Sequence, residues 1–159
     1  MKRVLGTTIT LVIAAVASIC LYSNAAAQGT GPGGRFYTKA EVEAIIKRVE
    51  ERSDSFRKVV DRSLDKSAIN GTNREDNINE QVKELENAID KLRRDFDRAN
   101  TWQETREQVQ RVLSEADEVN AIVRRGRWRR GGVVKSEWAL VRNDLNRLAG
   151  VYNLPLLRA

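Results

Sequence analysis

The spacing of apolar residues between positions 78 and 99 restricts the fold more than any other feature of this chain. Apolar side chains recur there at alternating intervals of four and three residues, which is the period of an α-helix with one buried face. These side chains are Ile78, Val82, Leu85, Ile89, Leu92, Phe96 and Ala99. Because such a helix is stabilised mainly by packing its apolar face against other elements, the pattern predicts a helical bundle.

Three further segments carry apolar stripes of helical period, and no segment shows the alternation of a β-strand. The predicted helices span 39–67, 73–99, 102–125 and 133–149. The other stripes comprise Val42, Ile45, Ile46, Val49, Phe56, Val59 and Val60; Trp102, Val109, Val112, Leu113, Ala116, Val119 and Ile122; and Val134, Trp138, Val141, Leu145, Leu148 and Tyr152. The stripes place Trp102 and Trp138 in the core.

The predicted helix starts coincide with Thr-x-x-Glu motifs, in which threonine and glutamate satisfy the amides of a first helical turn. The motifs are Thr38/Glu41, Thr72/Glu75 and Thr101/Glu104. Short connections at 70–73 and 100–101 force consecutive helices to run antiparallel, and only the third connection is expected to be longer. The chain is therefore predicted to be all-α, an antiparallel up-down-up-down four-helix bundle.

One alternative is a long helical hairpin that dimerises to complete the bundle. The first and fourth stripes are broader than a two-helix seam requires, which favours the monomeric bundle.

The N-terminus has the pattern of an export signal. Lys2 and Arg3 precede an uncharged stretch over 4–22, and alanines at 25–27 supply the small residues of a cleavage site. The sequence therefore predicts a signal peptide over 1–27, a flexible Gly-rich linker over 28–36 and one bundle domain over 37–159. The expected location is periplasmic or extracellular, and the alternative is anchoring by an uncleaved N-terminal segment.

The residue types of the predicted mature chain speak against most kinds of catalysis. The sequence has no histidine, and its one cysteine, Cys20, lies within the signal. Ferritin-type metal sites need histidine, and the segment 65–76 lacks an oxygen ligand and the glycine at the positions a calcium loop requires. The carboxylates alternate with Lys and Arg as on a solvated helix face. We therefore expect no catalytic residues, no metal and no cofactor.

Charge is concentrated near the C-terminus. Residues 124–159 carry 9 Lys and Arg against 2 Asp and Glu, whereas 28–100 carry 15 of each. The densest part is the sequence RRGRWRR at 124–130, named the basic segment here. The predicted anion-binding residues are Arg124, Arg125, Arg127, Trp128, Arg129 and Arg130.

The position of each arginine in the basic segment suggests a different role. Arg124 and Arg125 fall in the last turn of the third helix, where cations oppose the helix dipole, and Gly126 is expected to end that helix in a left-handed conformation. Arg127, Arg129 and Arg130 surround Trp128 in the connection that follows. The expected partners are an anionic envelope lipid, a polyanion or an acidic protein, and export makes nucleic acid an unexpected partner.

Two other interpretations of the basic segment stay open. The first is a solvated connector neutralised by Glu115, Asp117 and Glu118, with Trp128 folded over the end of the bundle. The second is self-association into a homo-oligomer. The resulting hypothesis is a non-enzymatic exported helical-bundle protein of the cell envelope that contacts an anionic surface; the alternative is a structural or assembly subunit that self-associates through helix faces.

The stretch WALVRNDLNRLAGVY, from Trp138 to Tyr152, resembles the last helix of exported bacterial helical proteins that have no assigned activity. The resemblance covers about a tenth of the chain. It implies bacterial export and adds no function.

Overall fold

The computed structural model describes residues 29–30, 36–126 and 131–159. It contains four long helices, which are α1 (Lys39–Leu64), α2 (Asn73–Arg98), α3 (Arg106–Arg125) and α4 (Gly131–Val151). A 3-10 turn at Trp102–Thr105 precedes α3. Two short antiparallel strands, β1 (Gly29–Thr30) and β2 (Phe36–Tyr37), pair before α1.

Consecutive helices run antiparallel. Across α1 and α2, Arg93 contacts Glu43 at 3.2 Å and Arg57 contacts Glu86 at 2.6 Å, so residue numbers rise on one helix as they fall on the other. The fourth helix returns to the first, because Arg52 of α1 forms an ion pair at 2.6 Å with the buried Asp144 of α4.

The helices also contact each other in the order α1–α2–α3–α4–α1, which closes a ring around one interior. The predicted all-α four-helix bundle is confirmed.

Every apolar stripe identified from the sequence faces this shared interior. Trp102 and Trp138 are both buried, and the rings of Phe56 and Trp138 lie 5.1 Å apart between α1 and α4. Val59 and Ile122 lie at the edge of the stripes and are only partly buried. The bundle therefore rests on one continuous apolar core shared by all four helices.

The first connection differs from the prediction. We expected α1 to continue to residue 67, but it ends at Leu64 and the connection covers 65–72. The Asn70 side chain donates to the carbonyl of Asp65 at 2.9 Å, and such local side-chain bonds compete with helical ones. The prediction that only the third connection is long was wrong. The first connection, 65–72, is longer than the third, 126–130, because α4 begins at Gly131.

The Thr-x-x-Glu motifs mark helix starts, and the first and third of them, Thr38/Glu41 and Thr101/Glu104, form the expected capping box. Thr38 accepts from the amide of Glu41, whose carboxylate accepts from the amide of Thr38. At Thr72 the prediction was wrong in detail. Gly71 has a positive φ of 74°, and its amide, not that of Thr72, donates to Glu75. The left-handed glycine turns its N–H toward the helix, which explains the change of partner.

Two other boundaries moved for reasons of packing. The third helix begins with the 3-10 turn, in which the Thr105 hydroxyl lies 2.9 Å from the carbonyl of Trp102. The fourth helix begins two residues earlier than predicted and includes both glycines at its start. Because Val134 is fully buried, its packing outweighs the low helix propensity of Gly131 and Gly132.

A buried polar cluster joins the start of α3 to the end of α4. The Tyr152 hydroxyl donates to the carbonyl of Trp102 at 3.0 Å and lies 2.9 Å from the Thr105 hydroxyl. The rings of Trp102 and Tyr152 pack edge to face at 5.0 Å. Burial raises the pKa of Tyr152 to about 12, although the hydrogen bond with Thr105 opposes the shift.

The C-terminal tail, residues 153–159, folds back along the groove between α3 and α4. Asn153 reverses the chain with a φ of 53°. The side-chain amide of Asn146 binds both backbone groups of Leu157, accepting from its N–H at 2.8 Å and donating to its carbonyl at 3.2 Å. Asn120, buried on α3, donates to the carbonyl of Arg158 at 3.0 Å and accepts from the Trp138 indole at 2.8 Å. Two asparagines thus hold the tail by its backbone.

We predict that Tyr152→Phe alters how stability depends on pH. A tyrosine in the unfolded chain titrates near pH 10, whereas folded Tyr152 titrates near 12. Because the folded pKa is the higher one, the stability from burying the neutral phenol is complete below about pH 10 and is lost as pH rises toward 12. The advantage of the wild type in unfolding free energy, about 1 kcal/mol at pH 8, should shrink between pH 10 and 12. Urea unfolding of both proteins measures it. If the two proteins differ in unfolding free energy by a constant amount from pH 10 to 12, the raised pKa of folded Tyr152 is contradicted.

We predict that Asn120→Ala destabilises the bundle by about 2 kcal/mol, because the Trp138 indole N–H and the Arg158 carbonyl both lose their buried partner. Asn143→Ala, at an exposed position of α4, is the matched control and should change stability by less than about 0.5 kcal/mol. Urea denaturation of the two variants gives the comparison. Equal effects on the two variants contradict a structural role for Asn120.

Candidate functional site

The structure describes two of the six residues predicted to bind anions. Arg124 and Arg125 are exposed in the last turn of α3, where the carbonyl groups at the helix end favour positive charge. Arg127, Trp128, Arg129 and Arg130 lie outside the described residues. Their proposed contact with anions stays a prediction.

The prediction that Gly126 ends α3 in a left-handed conformation was wrong. Gly126 donates its amide to the carbonyl of Ile122 at 2.8 Å, as a helix end requires, but its φ of −68° and ψ of 132° are those of extended backbone. Any residue adopts that conformation, so the left-handed freedom of glycine is not used here. The chain leaves α3 in an extended direction toward the rest of the basic segment.

Within the described residues, the acidic residues that precede Arg124 and Arg125 on α3 form no ion pair with them. These acidic residues include Glu115, Asp117 and Glu118. At the two positions of the basic segment that the structure describes, no ion pair supports its interpretation as a connector neutralised from within the fold.

Arg124 and Arg125 border open cavities at the end of α3. A cavity of about 600 Å³ lies between α3 and the C-terminal tail, and we name it the tail groove. A second cavity of about 500 Å³ lies between α2 and α3, and its lining includes Arg74, Glu118 and Arg125. Among the residues that the structure describes, Ala121, Arg124 and Arg125 line a third cavity of about 320 Å³. Positive charge and concave surface therefore coincide at this end of the bundle.

One face of α3 builds one wall of the tail groove. Its residues recur at helical spacing, and they are Gln110, Leu113, Ser114, Asp117, Asn120, Ala121, Arg124 and Arg125. Residues 154–158 of the tail form the opposite wall. Because Asn120 and Asn146 hold that segment by its backbone, its side chains are left to line the groove.

The tail groove was not among the predictions from the sequence. One usable signal was Asn120, a polar residue within an apolar stripe, one helical turn after Ala116 and one before Val123. Another was the apolar run at 154–157, which follows the last helix and has no helical role of its own.

The described residues contain no group of three or more Cys, Asp or Glu side chains placed to hold a metal ion. Among the same residues, no helix combines the length and the hydropathy needed to cross a bilayer. The buried carboxylate of Asp144 forms an ion pair with the Arg52 guanidinium at 2.6 Å.

No protein-family model matches the chain, and no significant match was found among the curated proteins or the solved structures.

Proposed function

We propose that the protein is exported and acts without catalysis, as a rigid helical bundle that presents the basic segment to an anionic surface of the cell envelope. The observation that carries the proposal is the exposure of Arg124 and Arg125, without an ion pair to any described residue, at the end of α3. Three further arginines and Trp128 follow directly in the sequence.

The N-terminal sequence supports the location. The charged start, the apolar stretch and the small residues before position 28 are typical of an export signal. In the envelope, the anions within reach are lipid phosphates, other polyanions and acidic proteins, and intracellular nucleic acid is not accessible.

The expected affinity is modest. Each basic residue near an anionic membrane contributes about 1 kcal/mol, so five arginines contribute about 5 kcal/mol. That free energy corresponds to a dissociation constant below about 1 mM, and salt weakens it further. The basic segment alone therefore gives a reversible contact, which a second contact or several copies of the protein would strengthen.

A second candidate function is that of an assembly subunit, and one observation favours it. Val133 and Leu140 lie seven residues apart on α4, so they share one helix face, and their side chains are 49% and 42% exposed. Apolar side chains exposed on one face can pair with the same face of a second copy.

Replacing Arg127, Arg129 and Arg130 with serine should abolish co-sedimentation of the exported chain with anionic phospholipid vesicles at low salt, because most of the charge at this end of the bundle is removed. The matched control is Arg62, Arg94 and Arg111 to serine, which removes the same net charge from exposed positions elsewhere. The control should sediment as the wild type does. Equal binding by both variants overturns the proposal, whereas helical content by circular dichroism should be unchanged in each.

The second candidate predicts that the mass measured by light scattering rises with concentration. It also predicts that Val133→Lys with Leu140→Lys restores the monomer mass, since a charge buried in the contact is costly. Lys135→Ala, at an exposed position of the same helix, serves as the control. A monomer mass at every concentration leaves the assembly function without support.

A further inference from the structure

The C-terminal tail, which forms one wall of the tail groove, runs along α3 in a defined direction. Tyr152, just before the tail, contacts Thr105 at the start of α3, whereas Arg158 contacts Asn120 four turns later. The tail therefore runs alongside α3 in the same direction. Along this path the walls change from apolar to basic.

The apolar part of the groove is formed by leucines of both walls. Leu113 of α3 and Leu157 of the tail line it and are each 8% exposed, while Leu156, which also lines it, is 61% exposed. Leu154 and Pro155 of the tail extend this apolar lining. An exposed leucine beside a cavity leaves apolar surface that a ligand can cover.

The basic part is formed by Arg124 and Arg125 of α3 and Arg158 of the tail. In the described part of the chain, none of the three is in an ion pair. Asp117 also lines the groove, about two turns before Arg124, so the described lining carries three positive charges against one negative charge. The lining therefore favours an anion at this end.

The two parts are separated by a distance that suits one extended molecule. Leu113 and Arg124 lie about 16 Å apart along the axis of α3, at a rise of about 1.5 Å per residue. The cavity volume of about 600 Å³ is within the range of small-molecule sites.

We infer that the tail groove binds an anionic amphiphile with a single acyl chain, whose charged group contacts Arg124, Arg125 and Arg158 and whose chain lies along Leu113 and Leu156. The inference rests on the proposed function in taking Arg124 and Arg125 as contacts for anions, and it names the class of ligand. A headgroup phosphate and a carboxylate share the required charge, so the experiment includes both.

The test uses calorimetric titration of the exported chain with dodecyl phosphate and with dodecanoate, each kept below its micelle concentration. We expect saturable binding of at least one of them at one site per chain, and no binding of the uncharged dodecyl maltoside or of inorganic phosphate. Arg124→Ser with Arg125→Ser should weaken the binding about tenfold or more, which corresponds to about 1.4 kcal/mol. Leu156→Ser should weaken it several-fold.

Two matched controls make the result specific to the groove. Arg94→Ser with Arg111→Ser removes two exposed arginines outside it, and Val133→Ser removes an exposed apolar side chain outside it. Both should bind as the wild type does. Leu156 is exposed, so its substitution leaves the fold intact, as circular dichroism should verify.

The inference is overturned if neither anionic amphiphile binds, if the uncharged one binds equally well, or if Leu156→Ser and Val133→Ser behave alike. Failure of the inference can be told apart from failure of the proposed function. Vesicle binding without binding of the monomeric amphiphiles leaves the surface contact standing and removes the groove ligand. Binding of the monomeric amphiphiles without vesicle binding leaves the groove ligand standing and removes the surface contact.

Discussion

The indole of Trp138 on α4 contacts both α1 and α3 and is linked through Asn120 to the C-terminal tail. Its ring, on α4, packs 5.1 Å from the ring of Phe56 on α1, and its N–H donates to Asn120 on α3. Asn120 in turn donates to Arg158 of the C-terminal tail. One side chain thus joins the apolar interior to the polar contact that fixes the tail, and the tail groove exists because the tail is fixed.

Much of the fold follows from the spacing of apolar residues. The stripe from Ile78 to Phe96 is buried along its length, and the positions of Trp102 and Trp138 in the core were predictable because a period of 3.6 residues leaves one face for the interior. Helix ends were less predictable. They depend on local competition, such as the bond from Asn70 to Asp65, and on tertiary packing, such as the burial of Val134 that carries α4 through two glycines.

The candidate site was predictable only in part. The density of arginine at 124–130 indicated a basic end of the bundle, and the structure places Arg124 and Arg125 there, exposed and beside concave surface. The tail groove depends on contacts between residues far apart in the sequence, of which Asn120 with Arg158 is an example. A spacing rule describes one helix at a time, so it cannot say which helix an apolar segment after Tyr152 will pack against.

The four helices and the tail share one interior, and Trp138 lies where they meet. Nuclear magnetic resonance of the Trp138 indole N–H can establish this arrangement in solution. We expect slow exchange of this proton with solvent, together with nuclear Overhauser contacts from the Trp138 side chain to the ring of Phe56 and the side-chain amide of Asn120. Exchange at the rate of an exposed indole, with no contact to Phe56, would contradict it.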